Sequence, residues 1–581
     1  MKKTTLQKTL ALVLTGAMAL GVLSGCGGGS NDTGASTSSG SNDTGASTST
    51  DSNTSADTST DSGSEDAASG LPGIAGYTAF ADNVTLSIPV YDRGGDNIPI
   101  GENYWEQWLQ ENFGDQYNIT LDFVAIPRTD VLTAYNLLAS TDDLPTFLME
   151  YDYPKQAEWV ANGYAVPYDL DEFAFIAPTY YQRMVDLDQI KYTEFDGETY
   201  FVLAERPYYN TNYTFVTWYR MDWLKEVGYD HIPATRAEYV DAMTKIQEAG
   251  ISAHPAGGSM TTGTAGVDQN YAFREYPTPE VEWAMYGDYA IPSLGWEPNK
   301  KLLKEQNENY NLGFTDPDYF TIDAATAEAS FAAGQSYQYS AYIAADMPVL
   351  TSFYQNNPDA ELAVGVQSLV ADTEYGTVPA FRSNNPFGMM ISFSSDASED
   401  EIKAAMMYME WMTQEENLFV MQWGYEGDNF SYDADGIPSS IGDYSGEYSQ
   451  GFNNNKDYWC VTIEARNAGT IEDMIRISSP QGLPQDFTDD IIANYNNQVK
   501  AWENGWVPVD AMFATDISSV AEYQGDLLTL YAELRDALVM CDPADFDALY
   551  EESAKRYGDA GYTAIAEERK AAYEAGLVSA Q

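Results

Sequence analysis

The stretch YNITLDFVAIPRTDVLTAYNLLASTDDLPTFLMEYD, residues 117–152, decides the fold. YNITLDFVAIP reads as a strand, RTDVLTAYNLLASTDDLP as a helix with an acidic end, and TFLMEYD as a further strand. Upstream, VTLSIPVYDRG at 84–94 alternates enough to be a strand that runs into a polar, Gly-containing loop. YWEQWLQENFG at 104–114 lies between them as an amphipathic helix stopped by Gly114. Strand, helix, strand, helix, strand implies an α/β fold with a parallel, doubly wound sheet. Ligands of such sheets bind beyond the carboxyl ends of the strands. The loops after Val90 and Met149 are therefore the first places to look.

Downstream, a second unit opens at TNYTFVTWYRMDWLKEVGYDHIPATRAEY, from residue 211. Thr235 and Glu238 are spaced as a capping box. Tyr239, Met243 and Ile246 repeat at helical spacing, and Gly250 closes that helix. Ser398 and Glu401 form another box ahead of IKAAMMYMEWM. From about residue 516 the chain is helix-rich, with LLTLYAELRDALVM and YTAIAEERKAAYEAG both amphipathic.

A chain of 581 residues with 13% aromatics has ample core for two or more lobes. Its 28 basic and 89 acidic residues leave a net charge of −61. That field repels nucleic acid and anionic membrane surfaces, and argues against a polyanionic ligand. Three cysteines and two histidines, His231 and His254, are too few for a Cys/His zinc site. Cys460 reads as a buried strand residue, and Cys541 follows an apolar helical run. They are compatible with either a disulfide outside the cell or two buried free thiols.

Lys2, Lys3 and Lys8 precede the apolar run Leu10 to Leu20, and small residues follow. This is the order of a secretory signal, and the run is too short to span a bilayer. Leu23-Ser24-Gly25-Cys26 resembles the lipobox of bacterial lipoproteins, which implies removal of residues 1–25 and lipidation of Cys26. Residues 27–70 hold no aromatic, Val, Ile, Leu, Met, Lys, Arg or Pro, and SNDTGASTS occurs twice, at 30–38 and 41–49. Such a segment cannot offset its chain entropy by burial. We read residues 26–72 as a disordered Ser/Thr/Gly/Asp tether with a root-mean-square reach of about 35–40 Å.

Four stretches then carry a resemblance in order: LLASTDDLPTFLM, TWYRMDWLKEVGYDHIPATRAEY, ASFAAGQSYQYS and EDEIKAAMMYMEWMTQEENLFVMQWGYEGDNF. Together they resemble the extracellular solute-binding proteins of ABC transporters, the family-1 carbohydrate group that includes maltose-binding protein, in its large Gram-positive lipoprotein subgroup. The likeness runs from about residue 82 to the end. Thr146 stands where that family usually has Asp, and Thr141 where it often has Gly. The resemblance implies a two-lobe periplasmic-binding-protein-like fold of type II. The ligand cleft lies between the lobes, and the C-terminal part is helix-rich. Lobe N would comprise 82–211 and 366–426, and lobe C 216–364 and 431–581. The chain would cross near 211–216, 364–367 and 426–431. The implied function is capture of an oligosaccharide for import, by a monomer held through lipid on Cys26 at the outer face of the cell membrane. Its partners are the sugar and the transporter permease, with no cofactor and no covalent chemistry.

A sugar presents apolar C–H faces and many hydroxyls, so its site needs flat aromatic platforms and paired polar groups. The chain supplies 12 Trp and 43 Tyr. The candidate ligand-binding residues follow strands or lie near crossings. They are Tyr91, Asp92 and Arg93; Tyr151 and Asp152; Trp218 and Arg220; Trp283 and Trp296; Tyr342; Arg382 and Asn384; Trp423 and Glu426. Trp218 and Trp423 have hinge packing as the competing role, and Arg220 a pairing with Asp222. No G-x-S-x-G, H-E-x-x-H or phosphate-binding loop occurs. DADG at 433–436 fails as a calcium loop because Gly442 stands where the twelfth-place Glu belongs, and reads as a polar turn. Two alternatives stay open: a cell-surface glycoside hydrolase, marked by a close carboxylate pair and turnover, and a peptide-binding transport protein, marked by open strand edges in the cleft.

Overall fold

A computed structural model describes residues 76–92, 99–257, 280–287, 291–343, 347–366, 369, 384–441, 452–480, 482–507 and 510–578. The signal segment, the tether with Cys26, and the candidates Arg93 and Arg382 lie outside the described residues.

The strands Val84–Asp92 and Ile119–Pro127 run side by side in parallel, with Val84 opposite Ile119 and Asp92 opposite Pro127. Ile88, Val90 and Tyr91 are buried, as a strand covered on both faces requires. Thr146 extends this layer. Its backbone N–H donates to Ser87 O at 2.9 Å, and its hydroxyl accepts from Ser87 N at 3.0 Å. The strand Phe147–Glu150 begins at the next residue. Beyond it, Met390–Ser394 pairs antiparallel with Phe147–Glu150, and also with Phe201–Leu203 and Ala165–Val166. This layer, called the first sheet below, joins a two-stranded parallel sheet to an antiparallel one, where the sequence pattern predicts a single parallel sheet. The reversing strand returns from a distant part of the chain, so no local pattern encodes its direction.

Local signals hold in some helices and fail in others. Ser398 accepts from Glu401 N at the start of Glu399–Thr413, and Glu401 Oε2 accepts from Ser398 N at 2.7 Å, a complete box. At Arg236–Glu248 only half of the box exists. Thr235 Oγ1 accepts from Glu238 N at 3.3 Å, but the Glu238 carboxylate takes Ala234 N instead of the cap. Gly114 does not stop the helix at Tyr104–Leu109. The helix widens through Gln110–Gly114 and runs to Tyr117, where Asn118 ends it at φ 58°. Asn tolerates that left-handed conformation better than most residues.

The second sheet is antiparallel. Phe215–Arg220 is its centre, flanked by Gln338–Tyr342 and Leu362–Val364. One core gathers around the first sheet from Val84 to Ala204, Phe387 to Met421 and Tyr458 to Ile463. A second gathers Tyr208 to Trp218, Phe331 to Val364 and Ile475 to Ile491. The return to the second core therefore follows Ile463, later than the 426–431 passage that the resemblance implies. Tyr458 to Ile463 pack in the first core and not in the second. A third core is helical, built by Glu297–Asn311, Ser518–Met540, Phe546–Tyr557 and Thr563–Glu574. Cys460 is buried in the first core, just past the helix Phe452–Trp459, and not in a strand. Cys460 and Cys541 are free thiols. Asp433 Oδ1 accepts from Asp435 N and Ile437 N, closing DADG as a polar turn between Phe430–Tyr432 and Pro438–Ser440.

Candidate functional site

The carboxyl ends of three first-sheet strands deliver Tyr91, Arg128 and Tyr151 to one place. Tyr91 is buried, and its hydroxyl donates to Met149 O at 2.7 Å. The Arg128 guanidinium lies over the Tyr91 ring at 4.6 Å and over the Tyr151 ring at 6.0 Å. Arg128 Nη1 is 3.2 Å from Glu150 Oε2, and Lys155 Nζ is 3.5 Å from the same oxygen. Lys155 also meets Asp152 at 3.7 Å. Glu150 is 1% exposed, and its other oxygen accepts from Tyr151 N at 2.8 Å. A buried carboxylate needs such pairing, and here two cations and an amide supply it. The Tyr91 hydroxyl is pushed well above its ordinary range, first by burial and then by the Glu150 charge.

The connections between the two sheets lie next to this floor. Glu205, Gly388 and Ile463 run together. Glu205 N donates to Thr462 O, Glu464 N to Glu205 O and Gly388 N to Ala204 O, each at 2.9 Å. Gly388 eases this close approach, since a Cβ would sit 3.0 Å from Glu205 O and 3.2 Å from Glu464 Cβ. Arg206 ties the three passes through its side chain. Its Nε donates to the Glu464 carboxylate, and its Nη1 to Asn385 O at 3.0 Å. Burial works against the Arg206 cation, but Glu464 outweighs it and holds its pKa above the ordinary value. Asn385 Nδ2 donates to Tyr151 O at 3.3 Å, which joins the passes to the floor.

From the second sheet comes Tyr342, at a strand end, and from the chain leading into it come Tyr208 and Tyr213, buried in the second core with rings 5.1 Å apart and edge-on. Burial lifts the Tyr208 hydroxyl well above its usual range, and Glu464, Tyr342 and Tyr213 add to it. Asn384 Nδ2 donates to Thr211 O at 2.7 Å. Asn212 exchanges hydrogen bonds with Gln498 at 2.7 and 2.9 Å.

Of the described candidates, Tyr91, Asp92, Tyr151, Asp152, Tyr342 and Asn384 stand at this junction, with Asp92 at an exposed strand end. The structure places the others elsewhere. Trp218 is fully buried in the second core, stacked 6.4 Å from Tyr339. Arg220 spends its guanidinium on both oxygens of Asp222, at 2.9 and 2.7 Å, and on Gly334 O. Trp283 and Trp296 are buried and pack on each other at 5.9 Å, with the half-buried Tyr286 against them. Trp423 is buried, donates to Asn467 O at 3.3 Å and carries Arg466 over its ring at 5.0 Å. Glu426 is exposed in the turn that leads to Phe430. Sequence reasoning missed Arg128, Glu150, Lys155, Arg206, Tyr208 and Glu464. The strand-end rule, extended to Pro127 and Leu203, would have found Arg128 and RPYY at 206–209. Nothing local marks Glu464.

Among the described residues, no three acidic, His or Cys side chains are grouped to hold a metal ion. None of their helices is long and apolar enough to cross a membrane.

A model of the bacterial extracellular solute-binding protein family matches residues 98–418. Among solved structures, an HMO-binding, ABC-transporter-associated solute-binding protein from Bifidobacterium longum infantis aligns with TM-score 0.58 at 12% identity, over 85% of this chain and 99% of its own. The alginate-binding protein AlgQ2, solved without calcium ion, aligns with TM-score 0.56 at 16% identity, over 86% and 99%. The S. pneumoniae ABC-transporter substrate-binding protein FusA, an EF-hand mutant in complex with fructo-nystose, aligns with TM-score 0.56 at 14% identity, over 85% and 100%. No curated protein matches the chain. The fold is that of two-lobe, type II periplasmic binding proteins.

Proposed function

The chain belongs to the bacterial extracellular solute-binding protein family, and from that premise we propose that it captures an oligosaccharide at the lobe junction and presents it to an ABC transporter for import. The observation that carries the reading is the junction itself. Half-buried aromatic rings of both lobes, Tyr151 from one and Tyr342 from the other, stand beside paired charges and amides at the three passes, with Tyr91, Tyr208 and Tyr213 buried in the adjoining cores. Rings meet the C–H faces of a sugar, and the amides and carboxylates meet its hydroxyls. A few convergent polar groups suffice to orient such a ligand.

The protein works by binding and release, without turnover. Ligand stabilises a closed arrangement of the lobes, and the transporter recognises that arrangement. The lipid on Cys26 and the tether up to residue 72 keep the body near the outer face of the membrane, beside the permease. One molecule suffices to bind one cargo.

A thermal-shift screen of the purified full chain against neutral oligosaccharides and short peptides tests this. A sugar at a hundred times its dissociation constant adds about 2.7 kcal/mol of stability and raises Tm. A shift with one glycan class, recovered intact, supports the reading. A shift with peptides alone overturns the cargo, and recovery of cleaved sugar overturns the absence of turnover.

A further inference from the structure

We propose that Phe215 and Tyr342, with the hydroxyl pair Thr217 and Ser340 beside them, form a stacking subsite of the second lobe for one pyranose ring of the cargo. The inference rests on the carbohydrate reading above and deepens it to a named platform.

The strand Phe215–Arg220 alternates. Val216, Trp218 and Arg220 are buried, and Phe215, Thr217 and Tyr219 share the opposite face. Along that face the Tyr219 end is covered, because Tyr219 packs against the core of Met221, Leu224, Met243 and Tyr337. The Phe215 end is not covered in this way, and Phe215 is 57% exposed. Its directly opposed neighbour is Tyr342, and the two rings meet at 5.5 Å and 65°. The next opposed pair is Thr217 and Ser340, whose hydroxyl oxygens are 2.6 Å apart. Opposed residues of an antiparallel pair stand on one face, so two rings and two hydroxyls form one shelf.

One exposed large apolar residue is ordinary on a protein surface. Three observations make this one different. It is matched by a second ring across the strand, hydroxyls flank it, and it lies at the end of the sheet where the chain enters from the first lobe. Tyr342 also lies close enough to the buried Tyr208 and Tyr213 to act on their hydroxyls, which puts the shelf beside the junction described above. A pyranose ring fits such a surface. Its C–H face lies on the rings while its rim hydroxyls exchange hydrogen bonds with Thr217 and Ser340. Phe has no polar handle, so its exposure serves only contact with an apolar face. The shelf itself carries no cation, and the net charge of −61 disfavours an anionic occupant.

The test is calorimetric titration of the full chain and its Phe215→Ala and Phe215→Trp variants with maltotetraose, xylotetraose, cellotetraose, mannotetraose and kestose. Loss of the ring weakens the sugar that binds by about tenfold. Phe215→Trp keeps that affinity within about twofold, because a flat ring remains. The ligand-free Tm of Phe215→Ala stays with that of the unmodified chain, since the side chain is exposed. Unchanged affinity in Phe215→Ala, with the unmodified chain binding sugar, overturns the subsite alone. Failure of the unmodified chain to bind any of the sugars overturns the carbohydrate reading together with it. A loss of Phe215→Ala self-association in place of sugar affinity assigns the shelf to a second copy of the chain, and overturns the subsite.

Discussion

Arg206 is 7% exposed, and its guanidinium reaches Glu464 on the third pass and Asn385 O on the second while its own backbone forms the first. Removing only one partner of a buried ion pair leaves the other charge uncompensated. Arg206→Met therefore costs about 3 kcal/mol in denaturant titration, and adding Glu464→Met recovers most of that loss. A double variant no more stable than the single would show that the pair is not coupled. Glu106 gives the pH test. Its carboxylate accepts from Gly101 N at 2.9 Å and from the Tyr458 hydroxyl at 2.8 Å, and burial raises its pKa. The folded chain then holds this proton at a higher pH than the unfolded chain does. Stability from this group is absent above the folded pKa and grows as pH falls through it toward the ordinary glutamate value. Glu106→Gln does not titrate, so the unmodified chain gains on the variant as pH falls from neutral toward the ordinary glutamate range. Parallel Tm curves across that range would refute the raised pKa. Neither the Arg206–Glu464 pair nor the Glu106–Tyr458 bond announces itself in sequence, because the partners lie hundreds of positions apart.

Elements show the same division between local and distant signals. The strand over 84–92 and the capped helix from Glu399 were legible because alternation and a Ser-x-x-Glu cap are local. The strand-end rule also placed Tyr91 and Tyr151 at the junction. Trp218, Trp283, Trp296 and Trp423 misled for a physical reason: a tryptophan offers the same surface to a core as to a sugar, and these four found cores. The helix Pro178–Asp186 illustrates a cap no sequence window could show. Its cap residue, Ala177, has no side-chain acceptor. The buried Glu410, from the last turn of Glu399–Thr413, accepts from Thr179 N and Tyr180 N at 3.0 Å each. Glu410→Ala strands both amides and costs about 2 kcal/mol, whereas Glu410→Gln keeps an acceptor oxygen and costs about half as much. Denaturant titration of the two variants separates them, and equal losses would mean that packing of the side chain, and not the cap, is what Glu410 supplies.

At the scale of the whole molecule, the order in which the chain visits its cores fixes what each lobe needs. The first core is complete by Ile463 except for Met512. The second is not: Ile475, Phe487 and Ile491 close it from beyond the third pass. Gln498, which bonds Asn212, also comes from that late segment, as do most of the helices of the third core. A chain ending at Ala468 therefore keeps nearly all the buried side chains of one lobe and leaves the sheet of the other open on the face of Trp218, where Phe487 packs at 6.2 Å. An uncovered apolar face of that kind cannot hold a three-stranded sheet in water. Amide exchange of this truncated chain should show protection in Val84–Asp92 and Met390–Ser394, and rapid exchange in Phe215–Arg220 and Gln338–Tyr342. The bond from Tyr153 to Phe513 O is lost as well, but it lies outside the strands of the first sheet and should leave their exchange unchanged. Protection of both sheets would mean that the second lobe closes its core without the late helices. Loss of both would mean that the three passes couple the lobes so tightly that neither folds alone.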